Sequence, residues 1–177
     1  MTMKNIKPID TLSLVDKVEI RLLEFFKNIL DPTLLGTGIL KNLFELRLIL
    51  EMGMADFLFE RKTQKDLDDL EEIVAKEEEQ ESDQSHFSLD KEIAFHGKLY
   101  QISNNKTLQG FQQLLLPVFE YVHLKNTPQD FKHRYSSGHF VTHRMLMDNI
   151  KIGTPETFRN AMRHHLEPHF DSIFKEK

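Results

Sequence analysis

Residues 143–166 read HRMLMDNIKIGTPETFRNAMRHHL, and this stretch decides the fold. Gly153 closes one amphipathic segment, and Thr154-Pro155-Glu156 then supplies a cap, a first-turn proline and a first-turn acid, the start of a new helix. On the first arm Leu146, Met147 and Ile150 follow His143 at three, four and seven; on the second, Phe158, Ala161 and Met162 precede His165 at seven, four and three. Both are helical spacings, so the stretch reads as a helical hairpin. His143 and His165 each lie eleven residues from Thr154, and with about 1.5 Å of rise per residue in each arm they stand at equal height. They face one another when both point inward; His164 is about 100° around the helix and points elsewhere.

Working outward, the rest of the chain is helical in the same way. An amphipathic segment over Ser13–Ile29 ends before Asp31-Pro32. After Gly36-Thr37-Gly38, residues Ile39–Arg61 form one long segment that is apolar over more than half its circumference, as expected of a helix that is central or shared with a partner chain. Thr63 and Asp66 open a charged helix to about Lys76, and the acidic run from Glu77 to Ser85 reads as a solvated helix end and loop. Ser88 caps a helix to about Ile102, closed by Asn104 as a left-handed residue. Thr107–Lys125 is a further helix with a kink expected at Pro117, Asn126–Ser136 is a loop, and Gly138–Ile152 leads into the hairpin turn.

Composition agrees and excludes much. Among 177 residues there are seven glycines, six prolines and no cysteine, with 28 acidic residues against 23 Lys plus Arg, for a formal charge of −5. An all-α domain follows, without disulfides, thiolate zinc fingers or a cysteine nucleophile. The acidic balance argues against a surface built to grip nucleic acid. Apolar runs are short and interrupted by charge, and MTMKNIKPID lacks the apolar stretch of a signal peptide, so a cytoplasmic protein without a membrane segment is expected.

The chemistry gathers around histidine. Glu92 and His96 are four apart and share one helix face, bordering a side anchored by Leu89, Phe95 and Leu99. A carboxylate and an imidazole so placed can bind one metal ion from consecutive turns, as inward-facing acid and histidine pairs do in helical bundles. Joined to the facing pair His143 and His165, they make three imidazoles and one carboxylate. That set favours a transition metal such as zinc, nickel or manganese over calcium or magnesium.

Three segments carry a family resemblance: LFELRLILEMGMADFLFERKTQKDL, EIAFHGKLYQISNNKTL and HRMLMDNIKIGTPETFRNAMRHHL. They resemble successive signatures of the FCD domain, the helical effector-sensing domain of the FadR branch of GntR-type bacterial transcription regulators. The likeness spans about Lys41 to Phe170. Its first signature falls on Glu45, Leu46, Arg47 and Glu51, its second on Glu92, Phe95 and His96, its third on His143 and His165. The resemblance implies an antiparallel bundle of about six to seven helices, with Glu92, His96, His143 and His165 around one divalent ion, zinc first and nickel or manganese as alternatives. It implies a small organic or sugar acid as effector, a homodimer, no catalytic residues, and Arg47 lining the effector pocket. A salt bridge from Arg47 to Glu51 or Glu45 is the alternative role for that arginine.

Two departures stand out. Glu92 occupies the position of an aspartate in the family; Asp90 is about 240° around the helix from His96 and does not take its place. The second concerns the DNA-binding head. LSLVDKVEIRLLEFFKNIL resembles the first helix of a winged helix-turn-helix, yet its recognition helix and wing do not follow. Residues 1–36 are therefore read as a remnant of that head and its linker, and residues 37–177 as the sensing domain, with operator DNA reached only through a head largely absent here. The competing reading is a helical hydrolase in which a three-histidine, one-carboxylate metal site activates water.

Overall fold

The computed structural model describes residues 33–81, 89–125 and 141–174, with residues 13, 14, 17, 20, 21 and 24. Among them lie seven helices and no strand: α1 Thr37–Gly53, α2 Ala55–Arg61, α3 Gln64–Glu81, α4 Leu89–Ile102, α5 Lys106–Lys125, α6 His143–Ile152 and α7 Pro155–Phe174. Apart from those scattered positions, the helix expected over Ser13–Ile29 lies outside the described residues. So do Ser88 and the loop Asn126–Ser136.

Several boundaries have a local cause. Thr63 and Asp66 cap α3 reciprocally: the Thr63 amide donates to Asp66 Oδ2 at 3.0 Å and the Asp66 amide to Thr63 Oγ1 at 3.2 Å. Asn104 ends α4 with φ 50°, a conformation asparagine tolerates better than most residues. Thr142, extended, caps α6 by accepting from the Met145 amide. At the hairpin turn the Thr157 amide donates to Thr154 Oγ1 at 3.2 Å, and Thr154 N–H returns to Thr157 Oγ1 at 2.9 Å.

Three expectations need correction. The segment Ile39–Arg61 is not one helix but two, broken at Met54, beside Gly53, the weakest helix former of the stretch. The charged helix does not stop near Lys76 but continues to Glu81, since the acidic run contains no residue that forbids helix. The helix expected from Gly138 begins at His143, because Thr142 is already the extended cap residue.

The helices close a ring of neighbours in which α1 packs on α7, α7 on α6, α6 on α3, α3 on α4, α4 on α5, and α5 back on α1. One apolar cluster joins Met54 at the break, and Ala55 and Leu58 of α2, to Leu70 and Val74 of α3, Phe95 and Leu99 of α4, Leu146, Met147 and Ile150 of α6, and Phe158 and Met162 of α7. A second joins Leu40 and Phe44 of α1 to Leu115, Val118 and Phe119 of α5. Along α1 the buried stripe runs Leu40, Phe44, Arg47, Glu51: two apolar residues, then two charges. Those charges mark a polar centre inside the ring. No described helix is long and apolar enough to cross a membrane.

Candidate metal centre

Four helices of the ring contribute to that centre: Arg47 and Glu51 from α1, Glu92 and His96 from α4, His143 from α6 and His165 from α7. The imidazoles are buried, with 2, 5 and 1% of His96, His143 and His165 exposed. One ligand atom from each of Glu92, His96, His143 and His165 lies within 4.8 Å of all the others. His96 Nε2 is 3.2 Å from His165 Nε2 and 3.4 Å from His143 Nε2. The Glu92 carboxylate is 3.4 Å from His96 Nε2 and 3.3 Å from His143 Nε2. Two donors bound at 2.0–2.1 Å to a tetrahedral zinc lie about 3.3 Å apart. The spacing fits such an ion.

The outer nitrogens say why. His96 Nδ1 is 2.6 Å from Glu51 Oε2, His143 Nδ1 is 2.8 Å from Glu77 Oε2, and His165 Nδ1 is 2.7 Å from the Val141 carbonyl. All three partners are acceptors, so each Nδ1 carries the proton and donates, which leaves each Nε2 of a neutral ring with a bare lone pair. Three lone pairs and a carboxylate thus converge in a buried space, an arrangement that calls for a cation. Carboxylate or carbonyl partners on the far ring nitrogen are also what metal-ligating histidines have.

The electrostatics of the same space also favours positive charge. Burial alone would push His143 down, but the hydrogen bonds it donates to Glu77 and Glu92 outweigh it and raise the imidazole to about 9. His165 is pushed down to about 3, by burial first and by the neighbouring His143 charge second. Glu92 stays well below the ordinary carboxylate range despite burial, through its hydrogen bonds with His143 and His96. Glu51 likewise overcomes burial through its contacts with His96 and Arg47 and is lowered to about 2. The centre holds ionised carboxylates and donors for them.

Arg47 adjoins this cluster. Its Nε donates to Glu51 Oε1 at 2.8 Å and its Nη2 to Glu92 Oε2 at 3.0 Å, while the guanidinium lies 4.6 Å over the Phe119 ring. Of the two carboxylates considered for it, Glu51 is a partner; Glu45 is exposed and pairs instead with Lys41 at 3.9 Å. Arg47, Glu92, His96, Gln112, Leu116 and Phe119 line a recess of about 10 Å³, room for about one water.

The structure therefore brings together all four side chains that the spacing singled out, with Arg47 beside them. Asp90 is exposed, and His164 is exposed and bonded to Glu167. His123, His133 and His139 have no described side chains. Sequence reasoning missed Glu77, hidden in a run of like acids, and the bond from Arg47 to Glu92. Glu51 had one visible signal, a charge four residues after an arginine on an otherwise apolar stripe.

The family described as the FCD domain matches residues 42–168, a span that contains every residue of this centre. No curated protein and no solved structure matches the chain.

Proposed function

The chain belongs to the FCD domain family, and on that premise we propose that it is the metal- and effector-binding domain of a GntR/FadR-type transcription regulator. The observation that carries the reading is the buried convergence of Glu92, His96, His143 and His165, each imidazole held by an acceptor on its outer nitrogen. These four residues would hold one divalent transition metal, zinc first, with nickel or manganese as alternatives. A bound ion supplies a Lewis-acidic anchor for the carboxylate of a small organic or sugar acid. Arg47, on the same recess, offers that acid a guanidinium, the side chain best shaped for carboxylates.

The recess of about 10 Å³ is too small for such an acid. Gln112, Leu116 and Phe119 all belong to α5, so admitting a ligand requires α5 to move relative to α1 and α4. The effector thereby favours one arrangement of the ring over another, and unequal binding to two arrangements is what a switch needs. In this reading residues 37–177 are the sensing unit, residues 1–36 are what is present of a DNA-binding head, and the protein works in the cytoplasm as a homodimer. Operator DNA is engaged only through a complete head, and the chain has no catalytic role. Large apolar side chains left exposed on α1 and α2, Ile39, Ile49 and Phe57, support the pairing of two copies.

The test is elemental analysis of purified protein with thermal melts before and after chelation. One equivalent of zinc, nickel or manganese is expected. A chelator should lower the melting temperature, and returned metal at a hundred times its dissociation constant should restore about 2.7 kcal/mol. A metal-free protein indifferent to both treatments would sink the reading. Carboxylic acids should then raise the melting temperature of the loaded protein further, without turnover; hydrolysis of esters or phosphoesters would point to the hydrolase instead.

A further inference from the structure

We infer that Glu77 is a positioning residue of the metal centre, fixing the tautomer and direction of His143 and thereby making α3 part of the site. This rests on the metal reading above, and deepens it with a residue that supplies no ligand atom to the cluster. Glu77 belongs to an acidic run on α3, yet its carboxylate turns inward to His143 Nδ1 at 2.8 Å, across 66 residues of sequence. The side chains at this contact are 16% and 4% exposed.

The contact is braced from both sides. Arg144, next to His143, is clamped by Glu71 at 2.6 Å and by both oxygens of Glu78 at 2.9 and 2.8 Å. These bonds pin the first turn of α6 to α3 and bring Glu77 to the imidazole. The Phe95 ring stacks on the face of His143, centroids 4.3 Å apart and planes 16° from parallel. One ring face and one edge are thus fixed, and the lone pair on Nε2 is aimed at the cluster. His96 and His165 receive the same service from Glu51 and the Val141 carbonyl. Glu51 also holds Arg47, and a carbonyl cannot be substituted, which makes Glu77 the outer partner best suited to test by itself.

The experiment measures zinc affinity of the full chain by competition with a chromophoric chelator. Glu77→Ala should weaken zinc by roughly 10–100-fold, the usual consequence of removing an outer partner of a ligating histidine. Glu77→Gln, whose amide oxygen still accepts from Nδ1–H, should recover most of that loss. Glu72→Ala, which removes an exposed acid of the same helix that pairs with Lys76 at 2.5 Å, should leave affinity near that of the wild type. In zinc-loaded wild type the His143 Nδ1 proton should give a protected downfield resonance, absent in Glu77→Ala. Should Glu77→Ala fail to fold, Glu77→Leu and that resonance serve the same purpose. Affinity in Glu77→Ala within about twofold of wild type, or the resonance persisting unchanged, overturns the inference while leaving the metal reading intact. A wild type without zinc affinity overturns both.

Discussion

Glu51 is 1% exposed and has three side-chain partners. It accepts from Arg47 Nε and from His96 Nδ1, and the Tyr100 hydroxyl is bonded to it as well. Removing it would leave the buried Arg47 guanidinium with Glu92 as its remaining carboxylate and His96 without its outer partner. Breaking a buried pair from one side strands an uncompensated charge, at about 3–5 kcal/mol. Glu51→Ala should therefore lose stability of that order in urea unfolding. Glu45→Ala, which removes an exposed acid from the same helix, should change it by less than about 1 kcal/mol. Equal effects would mean that Arg47 finds solvent as readily as it finds Glu51. The two glutamates sit six residues apart in one apolar segment and look alike until the helix is packed.

Elements carry the next layer, and the hairpin turn is the most exacting of them. Gly153 has an ordinary φ of −89°, so no left-handed conformation demands glycine there. Space does: an added Cβ would lie 2.6 Å from the Asn149 carbonyl oxygen and 2.5 Å from Thr157 Oγ1. Backbone has to give way, so Gly153→Ala should destabilise by about 1–3 kcal/mol, the usual range for overpacking. Because α6 and α7 present His143 and His165 from either side of this turn, the variant should also bind zinc more weakly than wild type. Chemical denaturation and metal competition read the two effects separately, and a neutral substitution would show that the turn is not under steric control.

The start of α3 makes a prediction in pH. Burial alone would raise Asp66, but bonds from Lys98 at 2.8 Å and from Thr63 lower it to about 2. Its folded value lies below the unfolded one of about 3.9. The sign follows from the unfolded chain binding the proton more readily: the contribution is complete above about pH 4 and disappears as pH falls toward 2. Asp66→Asn should be less stable than wild type at neutral pH, with the gap closing in acid. A gap that stays constant from pH 7 to below pH 3 would assign the loss to the cap geometry alone.

At the scale of the whole molecule, the ring of helices turns separate local signals into one centre. The caps at Thr63, Asn104 and Thr154 were legible because capping is a contact between near neighbours, whereas the cap at Thr142 was not. The matched heights of His143 and His165 were legible because a short hairpin conserves register; their rings lie 4.9 Å apart. The break at Met54 was not legible, since the apolar pattern continues across it and only the packing of α2 against α4 and α7 sets its direction. The size of the recess was equally hidden, because it depends on how closely α5 lies against α1 and α4.

By itself the sequence determined an all-helical chain, most of its helix ends, and a set of one carboxylate and three imidazoles at spacings that let them meet. Period and capping are local properties, written in residues three, four or seven apart. Tertiary structure alone decided which acid of a charged run turns inward, that Arg47 joins Glu51 to Glu92, and which nitrogen of each imidazole faces the cluster. Apart from Arg47 and Glu51, four residues apart, those choices are made between residues 24 to 69 positions apart, where one glutamate in a solvated run looks like the next until a packed neighbour supplies the partner and removes the water.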